Sequence, residues 1–243
     1  MAEQYILVTR PYAESLNVKN YLEKHGRKVL IAPVLEAEPV PYEMNEKMKA
    51  SDAMMVTSAR VFEYMVKADF DLTRPVIAVG DMTSARALAF GFKNVVSVQG
   101  DIDDLLAYCD GKKWQSFFYP CARDISRDMH EMEMVVKDGE VKRRHYKIYP
   151  CAFYKMEYVK KWDEEIITAF KNKEISHVMI FSKRSALAYQ SLIHHYGLQS
   201  YSQEVTAVVM SDKIKKEIKD HRHILVAGEK TMQSLCECIV GEE

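Results

Sequence analysis

The residues of this chain best suited to chemistry stand just after its short apolar runs. Thr9 and Arg10 follow Tyr5-Ile6-Leu7-Val8, Thr57, Ser58 and Arg60 follow Met54-Met55-Val56, and Gly80 and Thr83 follow Val76-Ile77-Ala78-Val79. Farther on, Ser182, Lys183 and Arg184 follow Val178-Met179-Ile180-Phe181, Lys213 comes after the run at 205–209, and Thr231 comes after Ile224-Leu225-Val226. Each run reads as a buried strand and each polar cluster as the turn into a helix. Such turns expose unpaired backbone N–H groups at the positive end of a helix dipole, which suits a carboxylate or a phosphate. A Ser or Thr at a helix start ordinarily serves as a cap. Its recurrence, with a cation beside many of the positions, points to an anionic ligand.

The common anion-binding and catalytic signatures are missing. There is no Gly-x-x-x-x-Gly-Lys-Ser/Thr loop, and Val79-Gly80-Asp81-Met82-Thr83 lacks the later glycines of a dinucleotide fingerprint. No Gly-x-Ser-x-Gly elbow occurs. The eight histidines show no ligand spacing: His194 and His195 are adjacent, and His221 and His223 flank a strand start. No metal is expected. The five cysteines, Cys109, Cys121, Cys151, Cys236 and Cys238, are odd in number and scattered, as suits reduced structural thiols in the cytoplasm. A net charge of −1 gives no global field toward nucleic acid or an acidic membrane, and no apolar run is long enough to span a bilayer.

The elements that must position these residues alternate regularly. Apolar runs near 6, 29, 54, 76, 95, 117, 178, 206 and 224 alternate with helical patterns, the rhythm of parallel sheets covered on both faces. Helices are expected over 13–22, from Ser58 through Tyr64, over 83–90, around Leu105 and Leu106, and over Met129, Met132 and Val135 to Gly139. Prolines 33, 39 and 41 in an acidic stretch mark a linker, and the extended segment around Tyr149-Pro150-Cys151 marks a second crossing.

The chain also repeats itself. Val56-Thr57-Ser58-Ala59-Arg60 is echoed by Ile180-Phe181-Ser182-Lys183-Arg184, Ser on Ser and Arg on Arg, and Arg123 and Gly139 match Arg10 and Gly26 at one common offset. The first three βα units of the middle thus match the last three of the chain. The expectation is an α/β fold of two similar parallel-sheet, flavodoxin-like domains, one inserted in the other and joined by a two-stranded linker. The first domain is 1–36 with 155–243 and the second is 37–154, which includes crossovers at about 37–51 and 147–154.

The ordered set Ile6-Leu7-Val8-Thr9-Arg10-Pro11, Val56-Thr57-Ser58, Ala78-Val79-Gly80-x-x-Thr83, Phe153-Tyr154 and Phe181-Ser182 resembles the uroporphyrinogen-III synthase family. The resemblance extends over nearly the whole chain. It implies a monomeric, cofactor-free lyase of tetrapyrrole and haem synthesis, which closes the linear tetrapyrrole hydroxymethylbilane into uroporphyrinogen III with loss of water and inversion of ring D. Carried over by position, it implies that Tyr154 assists departure of the hydroxyl, since a phenol keeps its proton at neutral pH. Ser58, Thr83 and Ser182 would hold substrate carboxylates, and Thr231 fits a similar place. The chain departs from the family at Met210-Ser211-Asp212-Lys213, where a Gly-x-x-Thr-like turn is usual, so that Lys213 substitutes charge for N–H geometry. Ser58 and Ser182 are expected to line a cleft between the domains. The alternative is a cytoplasmic two-domain binding or regulatory module for a small anionic ligand.

Overall fold

The computed structural model describes residues 4–125 and 127–241. In chain order the elements are β1 (Tyr5–Val8), α1 (Tyr12–Lys24), β2 (Lys28–Ile31), β3 (Leu35–Pro39), α2 (Glu46–Lys49) and β4 (Ala53–Val56). Two short 3-10 turns, Ala59–Glu63 and Lys67–Asp69, lead to β5 (Val76–Val79), α3 (Asp81–Phe90), β6 (Val95–Val98), α4 (Ile102–Asp110) and β7 (Ser116–Ala122). Then come α5 (Met129–Met132), β8 (Met134–Lys137), β9 (Glu140–Arg143) and the long β10 (Lys147–Tyr158). The chain ends with α6 (Glu164–Lys171), β11 (Ile175–Ile180), α7 (Lys183–His195), α8 (Gln199–Ser202), β12 (Thr206–Val209), α9 (Asp212–Lys215), β13 (Ile224–Val226) and α10 (Met232–Val240).

The chain divides into two compact units, Met1–Glu36 with Glu157–Glu243, and Ala37–Met156. In the first, the sheet order is β13-β12-β11-β1-β2, with every pair parallel. Taken along the chain, that is the 2-1-3-4-5 order of flavodoxin-like folds. In the second, the order is β3-β10-β7-β4-β5-β6, and the strands from β10 to β6 are parallel. If each count begins at the central strand before the echoed Ser-x-Arg, β11 or β4, both parallel sheets run 3-2-1-4-5. The two sheets therefore share one topology with the chain entering at different points.

Covering both faces of a parallel sheet makes its strands apolar throughout. Met54, Met55, Val56, Ile77, Phe117 and Phe118 are all fully buried in one unit, and Leu7, Val8, Val178, Met179, Ile180 and Val208 in the other. Alternation splits β7 between two cores. Phe118 joins Met54, Phe153 and Tyr154 on one face, and Phe117, Tyr119 and Cys121 join Met55, Ile77 and Leu106 on the other. The cysteines are all free, and burial pushes the Cys109 and Cys121 thiols up to about 12, so they are packing groups rather than nucleophiles.

His221 belongs to the first unit's core. It is 9% exposed and its Nδ1 lies 2.7 Å from the Val205 carbonyl. Burial lowers its pKa below 6.5, against smaller raising effects of that hydrogen bond and of Asp220. Between the lowered native value and 6.5 the unfolded chain binds a proton that the folded chain does not. Stability from neutral His221 is thus complete above about pH 6.5 and declines as pH falls through that window. Thermal melts from pH 8 to pH 5 are expected to show this acid loss in the parent and a shallower loss in His221→Asn; equal slopes would remove His221 as the cause.

Several elements differ from the sequence expectation. The helix after Ser58 is a five-residue 3-10 turn rather than an α-helix through Tyr64. The expected two-stranded linker is present, by contrast, as β3 beside β10, β3 being an outer strand whose last residue is Pro39, where a missing N–H costs least. The helix expected to end at Gly139 is a single turn followed by the β8–β9 hairpin. Asp138 and Gly139 have φ of 55° and 79°, the left-handed pair that an Asp-Gly hairpin turn requires. The match of Gly139 with Gly26 therefore fails, because Gly26 follows the end of the long helix α1 whereas Gly139 sits in a turn.

Candidate active site

The strand β4 ends at Val56; the chain bends at Thr57 and is extended at Ser58, and these two side chains meet tyrosines that belong to opposite cores of the sheet. Thr57 Oγ1 lies 3.1 Å from the hydroxyl of Tyr119 on β7, and Ser58 Oγ accepts from the hydroxyl of Tyr154 on β10 at 3.4 Å. Ser58 also caps the 3-10 turn by accepting from the Arg60 N–H. That turn carries Arg60 back over the Tyr154 ring, 5.7 Å to its centroid, while Tyr64 stacks on the same ring at 5.5 Å. Tyr154 is 5% exposed, so its ring is held in the core by these contacts.

This arrangement brings four expected residues together: Thr57, Ser58, Arg60 and Tyr154. Two more stand at the end of β5. Gly80 adopts φ of 76°, which only glycine takes without strain, and begins α3 with no side-chain cap, so the first N–H groups of that helix are not met by a capping oxygen. Thr83, in its first turn, is buried. Asp81 lies beside them and accepts from Ser97 and Gln99.

In the first unit Ser182 caps α7 through a reciprocal pair: its Oγ accepts from the Ser185 N–H at 3.1 Å, and its N–H donates to Ser185 Oγ at 2.9 Å. Arg184 lies over the Tyr158 ring at 5.7 Å, so the echoed Ser-x-Arg places an arginine on a β10 tyrosine in each unit. Lys183 pairs with Glu217 at 2.8 Å. Thr9 is 1% exposed and donates its hydroxyl to the Met179 carbonyl at 2.6 Å, so that oxygen is spent inside the sheet. Arg10 pairs with Glu14 at 2.9 Å and lies 5.0 Å over Phe181, beside Ser182; burial lowers its pKa. Lys213 is exposed on the one-turn helix after β12, and Thr231 caps α10 by accepting from the Ser234 N–H.

Sequence reasoning missed Tyr119, Tyr64 and Arg127. Tyr119 is 5% exposed and, with Thr57, lines a cavity of about 320 Å³ beyond the ends of β4, β5 and β7. The alternation of Phe117-Phe118-Tyr119 would have placed its hydroxyl opposite Phe118, had the run been read as a face rather than as uniformly buried. Among the described residues no group of three or more His, Cys, Asp or Glu is placed to hold a metal ion, and no helix is long and apolar enough to cross a membrane.

The family model for uroporphyrinogen-III synthase HemD matches residues 17–237. Among curated proteins no sequence match is found. Among solved structures, the chain is similar to a mutant form of the uroporphyrinogen III synthase of the extremely thermophilic bacterium Thermus thermophilus, at 14% identity with a TM-score of 0.51, over 99% of this chain and 100% of that one. The wild-type form of that synthase aligns at 15% identity with a TM-score of 0.41, over 98% and 97% of the two chains. At such identity the first structure supports the fold, two-domain and α/β.

Proposed function

Because the chain belongs to the uroporphyrinogen-III synthase family, we propose that its polar strand ends hold the carboxylates of hydroxymethylbilane while Tyr154 helps the terminal hydroxyl to leave. The activity is that of a cyclising lyase of tetrapyrrole synthesis, and the family match favours it over a ligand-sensing module. The observation that carries the assignment of roles is the contact of Tyr154 with Ser58, flanked by Arg60.

As the carbon–oxygen bond of the hydroxymethyl group breaks, its electron pair goes to oxygen, and the Tyr154 hydroxyl supplies the proton that lets it depart as water. The pyrrole nitrogen supplies the electrons that leave an azafulvene-like carbon for the last ring to attack. The remaining task is positional: holding the chain so that ring D attacks through the inverted, spiro route. Carboxylates are held by the helix starts at Ser58, Gly80, Thr83, Ser182 and Thr231. Arg10, Lys183, Arg184 and Lys213 add charge there. For Thr9 and Thr57 the contribution is through backbone N–H and hydroxyl geometry respectively.

On the same reading the domains are 1–36 with 155–243 and 37–154. The enzyme is a cytoplasmic monomer that needs no cofactor and has neither nucleic acid nor membrane as partner. The test supplies hydroxymethylbilane, oxidises the products and separates the uroporphyrin isomers. Isomer III is expected to dominate; isomer I alone would overturn the proposal.

A further inference from the structure

The cavity of about 320 Å³ in the second unit is at the small end for a ligand pocket, room for one substituted ring rather than a whole linear tetrapyrrole. Its lining has two characters. Val79, Ile102, Ile125 and Met132 give apolar walls, whereas Thr57 and Tyr119 give it hydroxyls. The Tyr119 side chain is more than nine-tenths buried, and its phenol is pushed above the ordinary value by burial, against a partial opposing effect of Thr57, so it stays a neutral donor and acceptor.

The charges at the rim argue against a cavity built for a carboxylate. Asp101 caps α4 with Asp104 in a capping box, so the start of that helix is already supplied with anions. The Arg127 guanidinium is engaged by Asp103 and lies 3.9 Å from Glu131. A flat ring that is apolar on its faces and carries one N–H donor fits better: the walls cover its faces, and a hydroxyl oxygen of the Thr57–Tyr119 pair accepts from its N–H.

Resting on the lyase reading above, we propose that this cavity seats a single pyrrole ring of the linear tetrapyrrole, with its acid side chains directed outward, and that Tyr119 is a positioning residue for the inverted ring closure. Tyr119 and Tyr154 then act from opposite faces of the same sheet end, linked through the adjacent residues Thr57 and Ser58. One positions the ring and the other releases the hydroxyl.

The test uses the full-length protein in two arms. In the first, Tyr119→Phe keeps the ring and removes the hydroxyl. Loss of one neutral hydrogen bond is expected to lower kcat by roughly three- to tenfold and to raise the share of isomer I, with the melting temperature held. In the second, a monopyrrole bearing one acetate and one propionate is titrated into the parent and into Ile102→Trp, which fills the cavity; NMR shifts at Thr57 and Tyr119 are expected in the parent alone. Parent enzyme that makes isomer III, together with an unchanged isomer ratio in Tyr119→Phe and no monopyrrole shifts, would overturn the subsite while leaving the lyase reading intact. Parent enzyme that makes only isomer I would overturn both.

Discussion

Tyr154→Phe is expected to lower kcat by about a hundredfold while leaving the fold in place, because removal of a positioned general acid costs on that order or more. The ring is held by contacts that phenylalanine retains: Tyr64 stacked at 5.5 Å and the Arg60 guanidinium over it at 5.7 Å. The hydroxyl makes one long hydrogen bond, 3.4 Å to Ser58, so its loss costs folding no more than about 1 kcal/mol. The variant thus separates chemistry from packing. With KM nearly unchanged, a large fall in kcat would mark an interaction made in the transition state. A kcat within twofold of the parent, at equal melting temperature, would make Tyr154 a packing residue.

Arg60 adds to this expectation. Its charge lies over the face of the Tyr154 ring, and it also donates to the Met156 sulfur at 3.0 Å. Under the proposed mechanism, a cation there would stabilise the negative charge that develops on the phenol oxygen as the proton leaves. In the first unit only the arginine–ring contact recurs, Arg184 over Tyr158, and there the tyrosine is 42% exposed and Ser182 pairs with Ser185 instead.

What could be read in the sequence was local and periodic. Short apolar runs marked most strands of both parallel sheets, β10 with its proline and lysines being the exception, since burial on both faces favours apolar residues. Ser58 and Ser182 were legible because a helix cap needs an oxygen at a fixed place. The misreadings have physical causes. Met129, Met132 and Val135 have helical spacing, but the Asp138-Gly139 pair and the alternating residues after it favour a hairpin, and the turn chemistry won. Arg60 and Phe62 fit a helix in spacing, yet the turn after β4 stays 3-10 and brings Arg60 onto Tyr154. Thr9 looked like an exposed cap, and only the β1–β11 pairing reveals the Met179 carbonyl that takes its hydroxyl. Tyr119 and Arg127 depend on pairings distant in sequence, which no local pattern encodes.

The largest loss of stability is expected from Phe118→Ala. Phe118 is fully buried at the centre of an aromatic cluster, with ring centroids 6.1 Å from Phe70 and 6.2 Å from Phe153, and Phe70 in turn meets Phe90 and Phe92. Its backbone pairs with both neighbours, Met54 on β4 and Tyr149 on β10. The flanking strands restrict how far the site can collapse, so truncation leaves a cavity and costs about 3–5 kcal/mol. Against a domain stability of about 5–15 kcal/mol, that is roughly a fifth or more of the total. The same change loosens Phe153, the residue before Tyr154, so kcat should fall along with stability even though Phe118 touches no substrate. Phe118→Leu keeps most of the volume and should recover most of both. Urea unfolding with steady-state rates on the three proteins decides the matter: a cost below about 1 kcal/mol for the alanine variant would show that this aromatic cluster does not set the geometry of the site.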